Sequence, residues 1–130
     1  MKIWSVNTFS KEKGDEVVQE CFNDNLIYLW QKEHKSRTLK NINQCDWILA
    51  YHNNKQIVGV GIATSKSEID ENTKEWININ WLFQSLDNPI HLSDIESDDK
   101  VSVFFAQTVL NLTENISMKK LLTEIGKRQA

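Results

Sequence analysis

Two apolar runs, Trp47-Ile48-Leu49-Ala50-Tyr51 and Gln56-Ile57-Val58-Gly59-Val60-Gly61-Ile62-Ala63, flank the polar tetrapeptide His52-Asn53-Asn54-Lys55. Short β-branched runs joined by turn-forming residues read as a β-hairpin. Gly59 and Gly61 share one face of the second strand. Glycine inside a strand marks strong curvature or close approach by another backbone, as in small barrels.

Outward from the hairpin, a polar stretch over 65–75 precedes a second clear pattern. In Trp76-Ile77-Asn78-Ile79-Asn80-Trp81-Leu82-Phe83 the alternation puts Ile77, Ile79, Trp81 and Phe83 on one face and Trp76, Asn78 and Asn80 on the other. Pro89-Ile90-His91-Leu92, Val101-Ser102-Val103-Phe104-Phe105 and residues 107–112 read as further short strands, and Ser117 as the cap of a last helix through Leu121, Leu122 and Ile125. Upstream, residues 2–8 read as an opening strand with Trp4 and Val6 on one face. A helix is predicted over 11–22, with Ser10 as N-cap and Asn23-Asp24-Asn25 as its stop. Leu26-Ile27-Tyr28-Leu29-Trp30 follows as a compact apolar run that reads as a short strand. Dense short strands with two helices predict an α+β domain around a small curved or closed sheet.

The chain has 130 residues, one domain's length. No apolar stretch is long enough to span a membrane and the N-terminus has no signal-peptide core, so a cytoplasmic protein without membrane association is expected. The net charge of −3 argues against a grip on nucleic acid by bulk electrostatics. That average hides a polarised chain. Residues 31–40 carry Lys32, Lys35, Arg37 and Lys40 against Glu33 alone, while 87–99 hold Asp87, Asp94, Glu96, Asp98 and Asp99 without a base.

Cys21 and Cys45 have no CxxC spacing, and His34, His52 and His91 form no ligand pair, so neither a metal nor a cofactor is expected. Phosphate-loop, dinucleotide and nucleophile-elbow motifs are absent. Ile57-Val58-Gly59-Val60-Gly61 looks superficially like an acetyltransferase strand, but Ala63-Thr64-Ser65-Lys66-Ser67 offers no glycine-rich turn for a pyrophosphate. Nothing in the chain calls for an enzyme.

Five tryptophans stand in this short sequence. Strand faces assign Trp4, Trp47 and Trp81 to the core. Pattern alone leaves Trp30 open between core and ligand contact, and places Trp76 on a polar face.

The order of these elements resembles the PUA-like superfamily in its EVE and YTH branches. The likeness runs from Ile3-Trp4-Ser5-Val6-Asn7-Thr8 through Leu29-Trp30, Asp46-Trp47-Ile48-Leu49-Ala50-Tyr51 and the glycine-bearing strand to Trp76–Trp81 and Pro89-Ile90-His91-Leu92, over roughly residues 2–112. It implies a PUA-like barrel that reads a modified base, N6-methyladenine or a modified cytosine, by flipping it into an aromatic cage. Trp30 matches the cage tryptophan, and Trp76 is the nearest aromatic for a second wall. Asn7 and Thr8 match the polar strand end that hydrogen-bonds the base edge, and Lys32, Lys35 and Arg37 would stand at the phosphates. The stretch 65–75 lacks the aromatic expected there, which implies a two-sided or open cage.

The expectation is thus a single domain over 1–130, of a kind that would suit excision from a larger restriction or defence protein, with a fused or associated GTPase or nuclease. Its partner would be nucleic acid carrying a modified base, DNA in preference to RNA. The alternatives are a modified-RNA-binding domain of the same superfamily, a nuclease-like enzyme on a related scaffold, or an interaction module without nucleic-acid binding.

Overall fold

A computed structural model describes residues 1–9, 12–30, 37–97 and 109–129. The opening strand β1 (Ile3–Asn7) leads to helix α1 (Glu16–Asp24) and strand β2 (Leu26–Trp30). The hairpin forms as its sequence predicts, from β3 (Trp47–His52) and β4 (Gln56–Ala63). Its turn holds Asn54 and Lys55 at φ of 62° and 58°, the left-handed geometry that tight hairpin turns require. Then come β5 (Glu68–Ile69), the long β6 (Lys74–Gln84), β7 (Ile90–His91) with a 3-10 turn at Leu92–Asp94, β8 (Val109–Asn111) and helix α2 (Met118–Gln129).

Among the described residues the strands form one mixed sheet in the order β2-β6-β4-β3-β1-β8, with β5 also on β6 and β7 on β4. β1 runs parallel to β3 and the other pairings are antiparallel. The sheet curls into a half-barrel flanked by the two helices, an α+β fold.

Each face of the sheet carries a core. On one face Trp4, Ile27, Ile48, Ala63, Ile77 and Ile79 pack with Leu39 and Ile42, beside a smaller cluster of Val18, Ala50 and Val58. On the other, Ile3, Leu49, Val60 and Phe83 pack against Leu121 and Ile125 of α2. A register shift sorts these faces. Gly61 pairs Trp81 while its neighbour Val60 pairs Phe83, so Leu82 is an extra residue on β6. Trp81 and Phe83, placed on one face by simple alternation, therefore belong to opposite cores.

The glycines serve that curvature. A Cβ on Gly59 would stand 2.7 Å from Phe22 and 3.0 Å from Trp81, and one on Gly61 would meet Ile79 and lie 2.8 Å from the Asn80 carbonyl. Both positions let the Trp81 ring lie close against β4.

Other boundaries move. Helix α1 begins at Glu16 because Gly14 sits at φ +57°, and Asp15 is its cap residue; Ser10 lies outside the described residues. The helix closes on Asn25 in the left-handed conformation, with its N–H on the Cys21 carbonyl. Ser117 caps α2 as expected, its Oγ accepting from Lys120 N at 3.2 Å. Leu121 and Ile125 are buried, whereas Leu122, about 100° round the helix from Leu121, is exposed. The strand expected over 101–105 falls on residues outside those described.

Candidate functional site

Strands β2 and β6 pair with Leu26 opposite Asn78, Tyr28 opposite Trp76 and Trp30 opposite Lys74. Opposed residues share a face, so Tyr28, Trp30, Lys74 and Trp76 stand on one side and Ile27 and Ile77 on the other. Ile27 and Ile77 are buried in the core. The opposite side is an aromatic row with a lysine on it. The Trp30 ring, 59% exposed, meets the Tyr28 ring at 6.4 Å and 82°, and Trp76 is half-buried on the far side of Tyr28. The Lys74 ammonium lies 4.5 Å from the Tyr28 ring centre and 6.0 Å from that of Trp30, both within cation–π range. Trp30 and Trp76 thus share a face but do not stand as opposed walls; buried Tyr28 lies between them.

The five indoles divide by their N–H groups. Trp4 donates to Asp46 Oδ2 at 3.0 Å, Trp47 to Met1 Sδ at 2.8 Å and Trp81 to the Cys21 carbonyl at 3.1 Å. Among the described residues the indole N–H groups of Trp30 and Trp76 have no such partner. A tryptophan held for packing usually has its N–H satisfied, so this division separates structural indoles from available ones.

Tyr28 is fixed at both ends. Its backbone is in the β2–β6 ladder, and its hydroxyl donates to Glu20 Oε2 of α1 at 2.9 Å. Burial, and then the bond to the Glu20 carboxylate, pushes the phenol above its ordinary pKa, so it stays a neutral donor.

The residues expected at the phosphates divide. Lys32 and Lys35 lie outside the described residues. Arg37 is committed to the protein. Its Nε donates to Glu75 Oε2 at 3.0 Å, and its Nη2 to the carbonyl and hydroxyl of Ser67 at 2.9 Å each. Glu75 is fully buried, and its other oxygen accepts from Leu39 N at 2.9 Å. A buried carboxylate needs such partners, and Arg37 meets that demand in place of the phosphate expected of it.

Asn7 and Thr8, expected at the base edge, make local bonds. Asn7 Oδ1 accepts from Phe9 N at 2.9 Å, and Thr8 Oγ1 donates to the Tyr51 carbonyl at 2.9 Å. Beside them Phe9 packs edge-on against His52 at 5.1 Å, and His52 Nε2 lies 2.6 Å from Asp15 Oδ1. In the ladder this end of β1 pairs with Tyr51, near the β3–β4 turn, whereas Trp30 pairs with the first residue of β6. The strand registers therefore place the two expected halves of the site at opposite ends of the sheet.

Lys74 and Tyr28 escape a reading of the sequence for different reasons. Tyr28 is hidden in an apolar run. Lys74 continues the 76, 78, 80 alternation two residues back, and starting the strand at Trp76 cuts it off. Among the described residues no group of three or more His, Cys, Asp or Glu side chains is placed to hold a metal ion, and no helix is long and apolar enough to cross a membrane.

No family model matches the chain, and no curated protein does. Solved structures do. Protein Rpa0253 from Rhodopseudomonas palustris aligns over 97% of this chain and 92% of its own, with a TM-score of 0.58 at 13% identity. Protein PSPTO5229 from Pseudomonas syringae aligns over 97% and 99%, with a TM-score of 0.57 at 12% identity. The YTH domain of Zygosaccharomyces rouxii MRB1 protein, solved in complex with N6-methyladenosine RNA, aligns over 97% and 85%, with a TM-score of 0.56 at 12% identity. The half-barrel is the fold of these proteins.

Proposed function

We propose that this chain is a modified-base-binding domain that holds a methylated base of nucleic acid on the Trp30 ring. The observation that carries the reading is an exposed tryptophan at the end of β2 whose indole N–H has no partner among the described residues, on a fold shared with a YTH domain bound to N6-methyladenosine RNA. A base stacked on one aromatic ring gains on the order of 1–3 kcal/mol, and an apolar methyl group adds contact without needing a charge. In this reading Trp76 belongs to the same aromatic row and Lys32 and Lys35 are candidate phosphate contacts, while Asn7 and Thr8, at the other end of the sheet, take no part in holding this base. The domain is a PUA-like reader of the EVE/YTH kind and not an enzyme. It would be a single domain over 1–130, working in a cytoplasmic restriction or defence system whose GTPase or nuclease is fused or associated. Flipping of the base out of a duplex belongs to the same proposal, with DNA as the target. The methylated RNA bound by the YTH neighbour favours RNA as a second reading.

The test is a fluorescence titration with matched DNA and RNA oligonucleotides, each with and without N6-methyladenine. Preference for the methylated strand is expected, with Trp30→Ala weakening its binding by about tenfold or more while leaving the unfolding midpoint unchanged. Equal affinity for methylated and unmodified strands overturns the reading. Loss of stability with unchanged discrimination would return Trp30 to the core.

A further inference from the structure

We infer that Lys74 is the residue that takes the phosphate of a nucleotide stacked on Trp30, so that the site selects a phosphorylated strand over a free base or nucleoside. The inference rests on the stacking role just proposed for Trp30.

Four features place the ammonium there. Lys74 pairs directly with Trp30 across the ladder, which puts both side chains on one face. Its backbone is pinned on the other side, where Lys74 N donates to Asp70 Oδ1 at 2.9 Å and Asp70 N to the Lys74 carbonyl at 3.0 Å. The ammonium itself rests 4.5 Å from the centre of the Tyr28 ring, and that ring is held by its hydroxyl on Glu20. From there it stands 6.0 Å from the Trp30 ring centre, beside the surface a base would cover. A lysine resting on an aromatic ring at a partly open surface is held weakly, and a phosphate oxygen offers it a stronger, charge-assisted bond. The ring acts as a parking place that keeps the long side chain close to the stacking surface and limits the freedom it loses on binding. Arg37, whose Nε and Nη2 are engaged by Glu75 and Ser67, leaves this task to Lys74.

The experiment compares wild type, Lys74→Gln and Lys74→Arg, each as the whole chain. The probes are methylated and unmodified single-stranded oligonucleotides, titrated from low to moderate salt, with N6-methyladenosine and its 5′-monophosphate as small ligands. Wild type should prefer the monophosphate to the nucleoside. Lys74→Gln should weaken binding of methylated and unmodified strands by the same factor, about fivefold to twentyfold, and flatten the salt dependence by roughly one phosphate's share, a slope change of about 0.7. Lys74→Arg should restore both. Thermal unfolding of the variants separates lost contact from lost fold, and rescue by arginine does so a second time. Wild-type affinity and salt slope in Lys74→Gln overturn the inference while leaving the stacking role of Trp30 intact. A wild type that binds strands without regard to methylation, yet loses affinity and slope in Lys74→Gln, overturns the modified-base reading and supports the phosphate contact. A wild type that binds no strand overturns both.

Discussion

Arg37 and Glu75 show how a single buried atom redirects a side chain. In the sequence Arg37 is one of four bases in a run from 31 to 40, and such a run ordinarily faces solvent or a polyanion. Glu75 stands one position before Trp76 and carries no signal that it will be fully buried. Once β6 puts that carboxylate on the core face, desolvation demands partners, and Arg37 Nε and Leu39 N provide them. Arg37→Ala removes the Arg37 Nε bond from a fully buried carboxylate. It should therefore cost on the order of 3 kcal/mol, read as a lower denaturant midpoint, whether or not nucleic acid is present. The same substitution at a phosphate contact would lower affinity and leave stability alone, so the two roles are separable by one equilibrium unfolding curve.

At the scale of elements, close packing and backbone register correct what periodicity suggests. The extra residue at Leu82 sends Phe83 to the α2 side of the sheet and keeps Trp81 on the α1 side, where it packs edge-on with Phe22 at 5.0 Å. Gly61 lies at that shift, against backbone as well as side chain, and cannot yield. Gly61→Ala should lower stability by about 1–3 kcal/mol through overpacking. Gly126 is the opposite case. It sits inside α2 with nothing within 4 Å of where an added methyl group would stand, so Gly126→Ala should raise stability by about 0.5–1 kcal/mol. Thermal melts of the two variants should thus move in opposite directions. The hairpin, β2 and the Ser117 cap are legible in the sequence because each is decided by neighbours along the chain. The two-residue strand β5 is not, since a pair of residues has no period and exists only through β6.

Over the whole molecule, Asp46 joins the N-terminal strand to the turn ahead of the hairpin. Its carboxylate accepts from Lys2 N and Trp4 Nε1 at 3.0 Å each and from Asn43 N at 2.9 Å. Burial alone would push this carboxyl up, but those hydrogen bonds, with the positive N-terminus nearby, outweigh it and hold the group below its ordinary pKa. A lowered folded-state pKa means the contribution is fully present above the ordinary aspartate value of about 3.9 and is lost as pH falls through the lowered one. Stability should therefore drop across that acid window, and Asp46→Asn should cost about 2 kcal/mol at neutral pH while flattening the acid loss. Melting temperatures against pH for both proteins check this.

Sequence by itself determined the α+β class, the curved hairpin with its glycines, the burial of Trp4 and the core-facing sides of half-buried Trp47 and Trp81, because strand faces and turn chemistry are local properties. Only the tertiary structure decided which tryptophans keep an available indole N–H, that Tyr28 and Lys74 join Trp30 on one face, and that Arg37 belongs to Glu75. Those facts depend on partners distant along the chain, such as Arg37 with Glu75 and Trp4 with Asp46, and side-chain pairing across a ladder is set by register, which no single strand carries.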